Sequence, residues 1–156
     1  MMHRIRRFFD TVTACPLLAE ETQRVSAWLG DPTIMALFSD QPVTDQRHSL
    51  GCGDYVAAIT NRPEMIQAAI LHDVGKRHAE FGWLRRTIAG LFDFLRVDAG
   101  RAIRLYNAHG PIGADELSER GAHPLVVEFA RAHHSARPDA ITYADWSLLL
   151  AADNER

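Results

Sequence analysis

The strongest constraint in this sequence is an apolar helix that runs straight into two ionisable residues. Residues 63–71 have the apolar spacing of a helix, and Pro63 suits its first position, where no N–H is needed. His72 and Asp73 follow directly. One helical face carries Ile66, Ala69, Ile70 and Asp73. An unpaired carboxylate on such a face costs several kcal/mol when buried, so Asp73 needs a partner. We expect Gly75 to be the C-cap of this helix.

Two further helices repeat the pattern of an apolar face that ends in an ionisable residue. These faces are Val126, Phe129, Ala130 and His133, and Trp146, Leu149, Leu150 and Asp153. Each ionisable residue could pair privately with an arginine or a backbone donor, and a lone buried histidine is usually a hydrogen-bonded core residue. Three such residues on separate helices favour one shared metal centre. Neutral imidazole and carboxylate are ligands for Fe, Mn, Zn, Co and Ni.

The rest of the chain is also predicted to be helical, with no convincing strand alternation. The 156 residues suit one all-α domain, in which helices of residues 1–42 pack on a core of residues 43–156. Thr44 is the expected N-cap of the helix that carries His48. The other predicted helices are residues 5–12, 16–30, 32–38, 82–95, 99–109, 111–120, 124–134 and 142–156.

Composition and charge make several classes of function less expected. The net charge of -3 gives no reason to expect general nucleic-acid binding. No apolar run approaches the ~20 residues that span a bilayer, and the first residues lack the apolar region of a signal peptide. Cys15 and Cys52 have no C-x-x-C spacing, which fits a reducing, cytoplasmic setting. The sequence leaves the oligomeric state open.

The segment HDVGK, residues 72–76, resembles the signature of the HD-domain metal-dependent phosphohydrolases. The resemblance extends from about Asp45 to Asp153 and implies a single helical HD-domain bundle. DQRHSL is similar to the family's first histidine segment and LLLAAD to its final aspartate segment. By this resemblance the ligands of the first metal ion are His48, His72, Asp73 and Asp153.

Two more segments resemble the HD-GYP branch of that family. AHGPIGADEL is similar to its H-P-x-x-G-A segment, and ARAHHSA to its double histidine. This resemblance implies that His109 and His133 hold a second ion, with Asp73 bridging the two, while His134 contacts substrate or hydrogen-bonds. No G-Y-P motif follows, and Thr44 stands where the branch has a glutamate. Cyclic di-nucleotide hydrolysis and a third metal ion are therefore not implied.

The function implied is a metal-dependent phosphohydrolase that cleaves a small phosphate ester, with nucleotides among the candidates. A water activated by two divalent transition-metal ions would attack phosphorus. Asp73 and Lys76 are the predicted catalytic residues, and Lys76 and His134 the predicted substrate contacts. Further candidates for phosphate binding are Arg47, Arg131 and Arg137. Two alternatives remain: a diiron oxygenase of HD type, and a non-catalytic signalling or scaffold module.

Overall fold

The computed structural model describes residues 15–78 and 108–155, and these two ranges are helical without a strand. The all-α prediction is confirmed for them. The predicted helices at residues 5–12 and 82–95, and most of the one at 99–109, lie outside the described residues. The elements are α1 (Ala19–Leu29), α2 (Pro32–Ser39), α3 (Val43–Ala57), α4 (Pro63–Leu71), a 3-10 helix (Val74–His78), α5 (His109–Glu119), α6 (Pro124–Ala132) and α7 (Tyr143–Glu155).

Several helix ends follow directly from their residue types. Gly30 closes α1 in the left-handed region, at φ 69°, which glycine adopts without steric cost. Asp31 caps α2 by accepting hydrogen bonds from the N–H groups of Thr33 and Ile34. Pro63 stands in the first turn of α4, as predicted.

The prediction that Thr44 caps α3 was wrong. Pro42 is the N-cap, and the helix begins at Val43. The carbonyl of Pro42 accepts hydrogen bonds from the N–H groups of Asp45, at 2.8 Å, and Gln46, at 3.0 Å. Pro42 is non-helical, at φ -55° and ψ 148°, and its carbonyl already accepts the first helical hydrogen bonds, so the helix starts before Thr44.

Helix α4 is the centre of the packed core. It packs against α1, α3, α6 and α7. Its largest apolar side chains are completely buried, and α6 and α7 complete the same cluster with Phe129 and Leu149. Because α4 is enclosed on several sides, the residues that directly follow it are delivered into the interior. None of the described helices is long and apolar enough to cross a membrane.

Gly75 is required for close packing rather than for capping, so the C-cap prediction was wrong. Gly75 lies inside the 3-10 helix and does not have a positive φ. A Cβ added to it would lie 2.0 Å from the carbonyl oxygen of His109 and 2.8 Å from the nitrogen of Gly113. A Cβ on Gly113 would in turn lie 2.9 Å from the nitrogen of Gly75. The two glycines let the 3-10 helix and α5 touch backbone to backbone, and this contact between Gly75 and Gly113 is called the glycine crossing below.

The glycine crossing predicts a large effect of a single methyl group. Gly75→Ala should lower the free energy of unfolding by about 3 kcal/mol, because two backbones must separate to admit the Cβ. Urea denaturation measures this loss. Gly121→Ala is the comparison: its Cβ would meet no atom within 4 Å, although its φ is 70°. That change should cost only about 1 kcal/mol, and equal losses in the two variants would contradict the steric account.

Candidate metal centre

The end of α4 places His72 and Asp73 in the core. The helix stops at Leu71, and the two residues that follow are 1% and 3% exposed. Nδ1 of His72 lies 2.9 Å from the carbonyl oxygen of Ala69, one of the final carbonyls that lack a helical partner. The imidazole therefore caps its own helix.

The end of α6 repeats this arrangement. Nδ1 of His133 lies 2.9 Å from the carbonyl oxygen of Ala130. A carbonyl can only accept a hydrogen bond, so in both histidines Nδ1 must be the donor. The Nε2 atoms of His72 and His133 are left to face the interior, which is the orientation that a metal-binding histidine needs.

The two oxygens of Asp73 face different sets of partners. Oδ1 lies 3.2 Å from Nε2 of His109 and 3.4 Å from Nε2 of His133. Oδ2 lies 3.4 Å from Nε2 of His72 and forms an ion pair with Nζ of Lys76. This places Asp73 between His72 on one side and the pair His109 and His133 on the other.

Asp153 closes the side of the cluster formed by α3 and α7. Its Oδ1 lies 3.2 Å from Nε2 of His48 and 3.4 Å from Nε2 of His72. The sequence analysis missed a neighbour of this group, Cys52. The Cys52 sulfur is 3.6 Å from Nε2 of His48 and donates to the carbonyl oxygen of Ala152 at 3.4 Å. Its position one helical turn after His48 was the available signal.

The structure thus brings together all the residues that were predicted to be metal ligands: His48, His72, Asp73, His109, His133 and Asp153. Two sets offer ligand atoms within 4.8 Å of one another, His48 with His72 and Asp73, and Asp73 with His109, His133 and His134. The cluster can hold a metal ion, and this part of the cofactor prediction is confirmed. His134, predicted to contact substrate, lies among the potential ligands, with its ring centroid 4.0 Å from that of His133.

The cluster stabilises positive charge at its centre. Burial alone would raise the pKa of Asp73, but the charges of Lys76 and His72 hold it well below its usual range. The pKa of Asp153 is likewise well below its usual range, because contacts with His48 and His72 outweigh burial. Burial would lower the pKa of His72, yet Asp73 and Asp153 raise it. The two carboxylates therefore favour a cation at this position.

Buried atoms without good partners support the fit of a metal ion. Within the described ranges, Nε2 of His72 and Oδ1 of Asp73 are enclosed and make no well-aligned hydrogen bond. Burial lowers the pKa of His133 despite the nearby Asp73, so its neutral ring presents an Nε2 lone pair to Asp73. Enclosed lone pairs that converge repel one another, and a shared cation converts the repulsion into attraction.

Two of the three candidate arginines are engaged elsewhere. Arg47 donates to the carbonyl oxygens of Cys15 and Pro16 and pairs with Glu21. Arg137 donates to the carbonyl oxygen of Ile141. Arg131 is paired with the exposed Asp115, and it also lines a pocket of about 290 Å³ beside the cluster.

A second feature missed by the sequence analysis holds the 3-10 helix on α5. Glu116 of α5 pairs with Arg77 and with His78, and Arg77 also donates to the carbonyl oxygen of Val74. These two pairs, of Glu116 with Arg77 and with His78, form the Glu116 clamp. The clamp directly follows Lys76 in the chain and reinforces the glycine crossing. Sequence spacing gave no signal for it, because the partners are 38 and 39 residues apart.

No family model, no curated protein and no solved structure matches this chain. The family resemblance therefore stays a prediction that rests on the motifs.

The position of Asp73 predicts how the protein loses metal. Protein purified with Mn, Fe or Zn supplied should carry up to two ions per chain by elemental analysis. Asp73→Asn should lose both ions because both sets share that carboxylate, whereas His109→Ala and Asp153→Asn should each lose one. Asp54→Asn removes a carboxylate outside the cluster, paired with Arg24, and should change nothing. A wild-type protein without metal, or an Asp73→Asn variant that keeps one ion, would contradict the shared ligand.

The pKa of His134 predicts a dependence of stability on pH in chelator-treated protein. Burial of part of its ring, with His133 and His109 close by, lowers the pKa of His134 to about 4. An unfolded histidine titrates near pH ~6.5, so between these values the unfolded state binds more protons. Stability should fall as pH decreases from about 6.5 to about 4. The slope should be shallow, because much of the side chain is exposed.

His134→Gln should flatten that slope. Denaturant midpoints measured from pH 8 to pH ~4 test this. Near pH 8 the midpoints of the variant and the wild type should differ only by an offset that does not change with pH. The same slope in both proteins would exclude His134 as its source.

Proposed function

We propose that this protein is a metal-dependent phosphohydrolase of HD-domain type with a dinuclear centre. The observation that carries the proposal is the position of Asp73, whose Oδ1 faces His109 and His133 while its Oδ2 faces His72 and Lys76. A carboxylate between two histidine sets is suited to bridge two ions. Metal ions held there would supply a water of lowered pKa and neutralise phosphoryl oxygens.

The protein's own residues would orient those ions and the substrate. The Nδ1 bonds of His72 and His133 fix the direction of both rings. The crossing of Gly75 and Gly113 fixes the backbone of His109, whose Nε2 lies 3.2 Å from Oδ1 of Asp73. Rigid placement of this kind keeps the ligands in one geometry through the reaction.

Lys76 is the group best suited to bind the phosphoryl oxygens. It is the only lysine in the chain, and its side chain is 17% exposed, so its ammonium lies at the edge of the cluster. Its present partner is Oδ2 of Asp73. An ammonium is a compact charge on a flexible stem, so Lys76 can shift from the carboxylate to a phosphoryl oxygen that approaches the same position.

Replacement of Lys76 should therefore separate metal binding from turnover. Lys76→Met should keep the metal content of the wild type but hydrolyse phosphate esters about 10²–10³-fold more slowly, as expected when one stabilising group is removed from the transition state. Hydrolysis of a panel of phosphomonoesters and nucleotides gives the rate, and elemental analysis gives the metal content. Arg24→Gln, which removes a cation paired with Asp54 outside the cluster, should leave both unchanged.

The same panel separates the proposal from its alternatives. Hydrolysis that requires metal and is lost in Asp73→Asn supports the phosphohydrolase. Oxygen consumption by the reduced, iron-loaded protein, without phosphate release, would point to an oxygenase. Full metal loading with neither activity would favour a non-catalytic module.

A further inference from the structure

We propose that the pocket beside His133 is an anion subsite in which Arg131 binds the phosphoryl group of a small substrate. The identity of this anion as a phosphoryl group rests on the proposed function. The pocket, of about 290 Å³, is lined by Gly110, Pro111, Arg131, His133, His134 and Ser135. This volume lies just below the usual range for ligand pockets, roughly 300–1,000 Å³, and suits only a compact ligand.

Charge selects the class of ligand. None of the pocket's lining residues is acidic, and Arg131 carries a guanidinium that stays protonated at every working pH. A guanidinium presents donors in a planar fork that matches the oxygens of a phosphate. His133 joins this pocket to the metal cluster, so an anion bound by Arg131 lies beside the proposed reacting centre.

Backbone packing fixes the position of Arg131. A Cβ added to Gly110 would lie 2.9 Å from the carbonyl oxygen of Ala130 and 3.2 Å from that of Arg131. The start of α5 therefore presses directly on the end of α6. Arg131 is held at the junction of the two helices that supply His109 and His133, so its backbone cannot move independently of them.

The partner of Arg131 can be displaced. One of its terminal nitrogens lies 2.9 Å from Oδ1 of Asp115, with the two side chains 40% and 67% exposed. Exposed ion pairs of this kind contribute about 0–1 kcal/mol, so a phosphate dianion can replace the carboxylate at little cost. Asp115 then acts as an anion that competes with the ligand for the guanidinium.

Binding of inorganic phosphate to the metal-loaded protein tests this subsite by calorimetry. Arg131→Gln should weaken phosphate binding about tenfold, while Arg131→Lys, which keeps the charge without the fork, should weaken it about threefold. Asp115→Asn should bind phosphate at least as tightly as the wild type, because the competing carboxylate is gone. Arg24→Gln removes an arginine of similar exposure from an ion pair with Asp54 and should not change the affinity.

The outcomes distinguish this inference from the proposed function. Unchanged metal content in every variant, with the predicted order of affinities, supports the subsite even if no ester is hydrolysed. An Arg131→Gln variant that binds phosphate as tightly as the wild type overturns it, as does a wild type that binds no phosphate. If Arg131→Gln fails to fold, the other two variants decide. The inference is overturned if Arg131→Lys binds phosphate as tightly as the wild type and Asp115→Asn binds it more weakly. With an ester that is hydrolysed, Arg131→Gln should raise KM about tenfold with kcat nearly unchanged.

Discussion

The carboxylate of Asp73 is buried at the point where the most enclosed helix of the bundle ends. A charge in that position requires compensation, since leaving a buried charge without its partner destabilises a fold by about 3–5 kcal/mol. The compensation comes from different directions: Lys76 from the following 3-10 helix, His72 from the helix end itself, and His109 from α5. The packing of α5 against the 3-10 helix is therefore tied to the needs of one side chain.

The two sides of the cluster are held by different kinds of contact. Around His109 the backbone itself is fixed, because Gly75, Gly110 and Gly113 let neighbouring segments touch without intervening side chains. Around Asp153 the geometry depends on side chains, with His48 and Cys52 of α3 meeting the last turn of α7. Helix ends fray more readily than helix crossings. The side with Asp153 is therefore the less rigidly held of the two.

The sequence predicts those features that local periodicity encodes. Apolar spacing defined the helices, and the three apolar faces that end in His133, Asp73 and Asp153 indicated a shared buried cluster. Contacts between distant segments were not accessible in this way. The role of Gly75 depends on where His109 lies, and the clamp of Glu116 depends on how α5 docks. The choice of Arg131 over Arg47 became possible only when the other partners of Arg47, on the N-terminal segment, were known.

His72 and His133 both stabilise a helix end and orient a ring towards the cluster. Neither task can be altered without the other, because the same imidazole performs both. In a related chain that bound no metal, selection for stability would still retain these two histidines as helix caps. The carboxylate of Asp153 instead contacts other members of the cluster, His48 and His72, and without an ion it would add a negative charge close to that of Asp73. In related chains the presence of this aspartate would be a better indicator of metal binding than the presence of either histidine.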